Sequence, residues 1–346
     1  MKNDLTCGVV RDLLPSYVEG LTSQETNQAV ETHLASCPEC TACRDAMKAP
    51  TEPAEQAKEV DYLKTVKRRN GRRVVLAVLC TVLLILAGFA VKIFVIGAPA
   101  QEDELIVSEF VEENGVLRLS VITPYSATAY HGWKVEIADG VANIWARSVL
   151  VSPLFPDGGG TVEVPLDGVK EVRLCGRTVW QDGIAIRQET FRLYQAKTAY
   201  IGDMPALNQI AELVNIRPNF GDYLNSLHTS SRPYRWTLEF TQDGWQGAIG
   251  KDSETFDLWM SRYAMQLLAT VENLDEVGWT YTDHRGEKHS GLITLEEADA
   301  LLPELMDAYN ASHAGCDWKP LSGIKDYYHA SPADLQRLVD ITRISS

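Results

Sequence analysis

The sequence predicts a multidomain chain with a small all-α domain, one transmembrane helix, a β-sandwich-like domain and an α+β domain. From Val74 to Val91 no side chain is charged, and a helix needs about 20 apolar residues to cross a bilayer. Short helical patterns precede that segment, and strands with alternating apolar residues follow it. The predicted domains are listed in chain order as residues 1–47, 48–73, 74–97, 98–196 and 197–346.

The charges on the two sides of the apolar segment differ. Six basic side chains precede it, namely Lys64, Lys67, Arg68, Arg69, Arg72 and Arg73, and an acidic stretch, residues 101–104, follows it. Because short cytoplasmic segments are rich in Lys and Arg, we expect residues 1–73 inside the cell and residues 98–346 outside. Residues 48–73 are predicted to be a linker and a juxtamembrane basic helix, which would contact anionic membrane lipid.

The net charge of −15 is carried by the outer segment. Residues 1–73 contain 11 Lys and Arg against 11 Asp and Glu, whereas residues 102–346 contain 20 against 36. An acidic surface is not expected to bind nucleic acid. A cleaved signal peptide would begin near the N-terminus itself, so we favour a single-pass membrane protein.

The inner segment carries the signals of three short helices. Cys7–Val18 has apolar residues at helical spacing, and Pro15 predicts a kink or a short helix there. The sequence Thr22-Ser-Gln-Glu25 has the form of a capping box, which predicts a second helix that runs to about Ala35. A third helix is expected to begin near Pro38.

Four potential metal ligands belong to these helices. Cys37 and Cys40 form a Cys-x-x-Cys turn, His33 lies at the end of the second helix, and Cys7 lies on the first. Zinc takes thiolate and imidazole ligands in a tetrahedron, so we predict a Zn²⁺ site formed by these four residues. Cys43 is an alternative to Cys7 as the fourth ligand. Four unliganded, reduced cysteines are the alternative to a metal site.

With this motif, residues 3–47 resemble the zinc-associated anti-sigma domain at the N-terminus of many bacterial single-pass membrane regulators. Residues 10–21 resemble the first helix of that family, and residues 25–40 resemble its second. The resemblance implies that the inner domain binds an extracytoplasmic-function sigma factor and holds it inactive. The usual layout of the family also implies an outer sensor, here of an envelope signal, while the charges described above predict a cytoplasmic N-terminus and no direct binding to nucleic acid.

Two routes for release of the sigma factor are open. The resemblance implies cleavage by a membrane protease. Oxidation of Cys37, Cys40 or Cys43 with loss of zinc is a second hypothesis, because the thiolate is the reactive form. The rival function is a membrane-anchored zinc-finger scaffold or envelope-binding protein with no sigma partner. A third class, an outer hydrolase, would need a pocket of perturbed carboxylates.

Residues 105–195 are predicted to form about seven strands. Apolar residues alternate in the segments 117–121, 133–137 and 161–164. Three dipeptides are typical of hairpin turns, namely Asn114-Gly115, Asp139-Gly140 and Asp182-Gly183.

Residues 198–310 mix helices and strands. Asp203 and the sequence Thr294-Leu-Glu-Glu297 predict helix N-termini, and Ser331-Pro-Ala-Asp334 predicts the start of a last helix. Apolar residues from Phe256 to Val271 form a long helical stripe. Residues 200–203, together with 231–234, resemble an uncharacterised extracellular domain family that follows such membrane segments.

The outer segment carries no catalytic motif, so we do not expect an enzyme. It contains neither Gly-x-Ser-x-Gly nor His-Glu-x-x-His. Its histidines show no ligand spacing, and His284 and His289 flank a turn. Cys175 and Cys316 are its two cysteines, which either form one disulfide or stay as two thiols.

Overall fold

The computed structural model describes residues 5–49, 54–241, 253–283 and 285–343, with the backbone alone for residues 54–65. The chain divides into two compact units, Met1–Ile85 and Leu86–Ser346.

The first unit begins with three short helices, α1 (Cys7–Val18), α2 (Gln24–Leu34) and α3 (Pro38–Lys48). They pack around a small core to which each contributes; its buried members are Val10, Leu14, Val30, Leu34 and Cys40. Helix α1 continues through Pro15 and ends before Gly20, whose φ of 72° suits a residue without a side chain. Pro38 opens α3, where the missing N–H of a proline costs no hydrogen bond.

The N-terminus of α2 corrects the predicted capping box by one residue. Ser23 is the N-cap, and its hydroxyl accepts a hydrogen bond from the Thr26 backbone N–H. The Thr22 hydroxyl instead donates to the side chain of Asn27. Because adjacent Thr and Ser hydroxyls can both cap a helix, the local sequence does not distinguish them.

A long helix, α4 (Ala54–Val91), follows and is extended by a π-helical turn, Lys92–Ile96. Within it, the 31 residues Val66–Ile96 form a helix long and apolar enough to cross a membrane. Its most apolar stretch buries no side chains in the structure. The juxtamembrane segment is continuous with this helix, because α4 runs through Asn70 and Gly71 without a break.

The β-rich region holds nine strands among the described residues. They are β1 (Ala98–Pro99), β2 (Ile106–Glu113), β3 (Val116–Ile122), β4 (Thr128–Ala138), β5 (Val141–Leu150), β6 (Gly160–Pro165), β7 (Glu171–Leu174), β8 (Arg177–Gln181) and β9 (Ile184–Ala185). One sheet has the order β1-β5-β7-β8-β9, with β4 also paired to β5, and a second has the order β2-β3-β6. Both sheets contribute to one hydrophobic core, which includes Leu119, Val164, Ile144 and Val172.

The three predicted hairpin turns join β2 to β3, β4 to β5 and β8 to β9. Both residues of each turn have positive φ, as in the type I′ turns that suit the twist of paired strands. The predicted strands correspond to β3, β4 and β6, and the region contains more strands than the seven expected.

The last region combines helices with a four-stranded sheet. Its helices are α5 (Gln188–Gln195), α6 (Met204–Leu213), α7 (Ile216–Phe220), α8 (Ser253–Thr270), α9 (Leu295–Ser312), α10 (Asp326–His329) and α11 (Pro332–Thr342). Its strands are β10 (Tyr223–His228), β11 (Arg235–Phe240), β12 (Glu276–Thr282) and β13 (Lys288–Thr294), in that order across the sheet. The predicted caps of α6, α9 and α11 are present.

Helix α11 contacts both regions of the second unit. Ala333 is buried against Ile184 and Ile186 at the end of the β-rich region, whereas Leu335 and Leu338 belong to the core of the helical region. The side chain of Gln336 accepts a hydrogen bond from the Arg187 backbone N–H at 2.9 Å. Helix α11 therefore packs against residues that lie about midway along the chain.

Candidate metal centre

Three helices position the predicted ligands. Cys7 is the first residue of α1, and His33 lies in the last turn of α2. Cys37 is the N-cap of α3, and Cys40 lies in its first turn. The Thr41 hydroxyl donates to the backbone oxygens of Leu34 and Cys37 and fixes the turn between α2 and α3.

The four potential ligand atoms lie within 4.8 Å of one another. The Cys7 sulfur is 3.5 Å from His33 Nε2 and 3.7 Å from the Cys37 sulfur. With Zn–S bonds of about 2.3 Å and Zn–N bonds of about 2.0–2.1 Å, a tetrahedral zinc separates two sulfurs by about 3.8 Å and a sulfur from a nitrogen by about 3.5 Å. The donor set and the two distances therefore fit one tetrahedral zinc ion.

Cys43 lies one turn beyond Cys40 on α3 and is half-buried beside the small core. It is not part of the group of four close ligand atoms, which contains Cys7. Of the two alternatives left by the sequence, the geometry places Cys7 with the other three residues.

The ionisation of Cys37 is shifted toward the thiolate. The backbone N–H of Cys40, followed by the side chains of Cys7, Cys40 and His33, lowers the pKa of Cys37 to about 7, although burial acts in the opposite direction. The hydrogen bond with Cys37 raises the pKa of Cys7. Cys37 is therefore partly deprotonated near neutral pH, and a metal would bind the deprotonated form of each cysteine.

Arg11 is a neighbour of this cluster that the sequence analysis missed. Interaction with the Cys40 sulfur raises the pKa of Arg11, and its guanidinium also pairs with Glu39 at 3.1 Å. Three thiolates and one neutral imidazole on Zn²⁺ would carry a net charge of −1, which a guanidinium offsets. The available signal was spacing, because Arg11 follows Cys7 by four residues and shares its helix face.

A second group of potential ligands lies at the hairpin from β12 to β13, where Asp283, Glu287 and His289 approach within 4.8 Å. Asp283 already accepts hydrogen bonds from the backbone N–H groups of Arg285 and Glu287, and its other oxygen contacts His289. These contacts account for the arrangement as a turn, so we assign it no metal. His284 lies outside the described residues.

Comparison with known proteins agrees with this geometry. Residues 7–41 match the family described as "Putative zinc-finger", and residues 193–291 match a domain of unknown function, DUF4825. The chain is 43% identical over 70 residues to the anti-sigma-YlaC factor YlaD of Bacillus subtilis (strain 168). That match covers 20% of this chain and 72% of the relative. No solved structure matches the chain.

The matched relative is named as an anti-sigma factor, and neither matching family is described by a catalytic activity. The matched zinc-finger residues contain the whole Cys7, His33, Cys37 and Cys40 cluster, and within the described residues one candidate transmembrane helix follows them. The chain belongs to the family of the anti-sigma factor YlaD.

Proposed function

We propose that the chain is a membrane-bound anti-sigma factor that sequesters an extracytoplasmic-function sigma factor through residues 1–47. The observation that carries the proposal is the 43% identity to an anti-sigma factor over 70 residues. Zn²⁺ bound by Cys7, His33, Cys37 and Cys40 would join α1, α2 and α3. This joint matters because so small a core buries little apolar surface.

In the proposed arrangement, residues 48–73 are a cytoplasmic linker and juxtamembrane helix, and residues 74–97 span the membrane. Residues 98–196 and 197–346 form two extracytoplasmic domains that respond to an envelope signal. The basic residues before the span and the acidic residues after it support this orientation. A membrane protease is the proposed agent of release, and a single helix offers few other ways to transmit a signal.

The helical unit also presents apolar surface for a partner. Three large apolar side chains of these helices and their connections are exposed to solvent: Val9 on α1, Leu21 after α1 and Met47 on α3. Amphipathic helices commonly bind partners by laying such side chains into apolar grooves. We propose that these residues contact the sigma factor.

The test is to purify the tagged full-length chain from cells that express each sigma factor of the source organism in turn. Zinc is quantified in the same samples. We expect one sigma factor to co-purify in near-equal amount with zinc, and to be lost with His33→Ala or Cys37→Ala. Cys43→Ser is the matched control and should retain both.

Zinc without any sigma factor would overturn the anti-sigma proposal and favour the zinc-finger scaffold. A sigma factor that co-purifies equally with the wild type and with His33→Ala would instead show that sigma binding does not depend on the metal site. Absence of both would show that the family resemblance does not extend to function.

A further inference from the structure

The β-rich region exposes large apolar side chains on two neighbouring loops. We call this set the apolar rim; it consists of Ile122, Tyr125, Leu150, Val151 and Leu154. Ile122 is the last residue of β3 and Tyr125 lies on the connection from β3 to β4, whereas the other three lie at and after the end of β5. Thr128 pairs with Leu150, and the Val151 N–H donates to the oxygen of Ala127, so the loops lie side by side.

The apolar rim lies at the end of the region where the chain leaves the long helix. Strand β1 begins just after the π-helical turn and pairs with β5 in antiparallel register, Ala98 opposite Ser148. Because the pairing is antiparallel, β5 runs back toward the helix end as it continues from Ser148 to Leu150. Lys92, Ile93 and Leu150 accordingly line one shallow cavity.

Hydrogen bonds hold this junction in place. The Arg147 guanidinium donates to the backbone oxygens of Ile96, at 2.7 Å, and Gly97, at 3.1 Å. Lys92 Nζ donates to the same Gly97 oxygen at 2.8 Å. Gly97 has a φ of 69°, and a Cβ there would lie 2.1 Å from the Ser148 oxygen. The apolar rim is therefore fixed beside the helix end, with no flexible linker between them.

The composition of the two loops differs from that of the acidic segment around them. Residues 122–130 and 148–156 contain no Asp, Glu, Lys or Arg, although residues 102–346 contain 36 acidic residues. The side chains that bind the junction, Lys92 and Arg147, are cationic, which suits lipid phosphates. Tyrosine is also favoured where one end of a side chain is apolar and the other is wet.

We propose that the apolar rim lies in the interfacial layer of the same bilayer that the long helix crosses. The β-rich region then contacts the membrane surface through these side chains. The feature that selects lipid over a protein partner is that this surface is continuous with the apolar helix, because Ile93 of the helix end and Leu150 of the rim line the same cavity. The inference rests on the proposed function only in requiring that Val66–Ile96 spans a membrane.

The test uses the full chain in vesicles of phosphatidylglycerol and phosphatidylethanolamine. The photoreactive residue p-benzoylphenylalanine is placed at one position per variant: 154 or 125 in the rim, 224 as control, or 84 in the span. Leu154 and Leu224 are matched, because they are 68% and 63% exposed and Leu224 lies on β10. All four native side chains are exposed, so the probe disturbs no core.

After near-ultraviolet irradiation, we expect lipid adducts by mass spectrometry at positions 84, 154 and 125, and little adduct at 224. Adducts at 84 with positions 154 and 125 no higher than 224 would overturn the inference and leave the span intact. No adduct at 84 would instead refute the membrane span itself. Cross-linking of positions 154 and 125 to a second copy of the chain would overturn the inference and show that the apolar rim is a contact between two copies of the chain.

Discussion

The choice between Cys7 and Cys43 as the fourth zinc ligand gives a direct test of the metal centre. Structural zinc sites bind with about 10–16 kcal/mol at pH 7, so an equal division among four ligands assigns roughly 2.5–4 kcal/mol to each. At 1.4 kcal/mol per factor of ten, Cys7→Ser should weaken zinc binding by roughly 100- to 1000-fold. Cys43→Ser should change it little, because the Cys43 sulfur lies outside the group of close ligand atoms.

The measurement is a zinc competition titration of the full chain against a chromophoric chelator, for the wild type and each variant. Circular dichroism on the same samples reports the total helix content, so unfolding of α1, α2 and α3 would appear as a partial loss of helical signal. An equal loss of affinity in both variants, or a loss only in Cys43→Ser, would refute the ligand set drawn from the geometry. The two variants carry the same chemical change, so a general effect of serine would appear in both.

Three further predictions concern stability. Ser23→Ala should destabilise the three-helix domain of α1, α2 and α3 by about 1 kcal/mol, and Thr22→Ala should destabilise it less, because Ser23 is the observed cap. Thermal melts with zinc bound compare the two variants. A larger loss of stability in Thr22→Ala would contradict the structure. Burial lowers the pKa of Lys325 to about 7, whereas an unfolded lysine titrates near about 10.4. The unfolded state therefore binds more protons between these pH values, and the free energy of unfolding should rise with pH by up to about 1.4 kcal/mol per unit. Urea unfolding at pH 7 and pH 9 should show this rise in the wild type and a smaller one in Lys325→Met; equal slopes would exclude Lys325 as its source. Gly291→Ala should lower stability by about 1–3 kcal/mol because its Cβ would lie 2.2 Å from the Trp279 ring, and an unchanged melting temperature would show that the ring moves freely.

Much of the cluster of potential metal ligands could be predicted because its spacing is local. His33, Cys37 and Cys40 lie on one helix–turn–helix segment, where a few residues determine the geometry. The place of Cys7 required tertiary structure, since it approaches Cys37 across 30 positions of the chain. Sequence alone therefore left Cys7 and Cys43 as alternatives, and the packing of α1 against α3 distinguishes them.

The hairpin turns were predictable for a similar reason. A turn such as Asp139-Gly140 needs positive φ at two adjacent residues, and few residue pairs tolerate it. Helix α5 was missed, because its eight residues contain few apolar side chains and its partners are distant. The pair formed by Arg187 and Asp340, for example, joins residues 153 positions apart. No local pattern carries that information.

The position of α11 has a consequence for the order in which the second unit matures. Ile184 and Ile186 are covered by Ala333, and the backbone N–H of Arg187 is satisfied by Gln336. The covering residues are synthesised nearly 150 positions after the strand they protect. While the chain is still emerging from the ribosome, the end of β9 has no cover from α11, and closing so long a loop slows folding. Burial of Ile184 and Ile186 thus waits for α11, so a chain that ends before Ala333 would leave this apolar end of the β-rich region exposed.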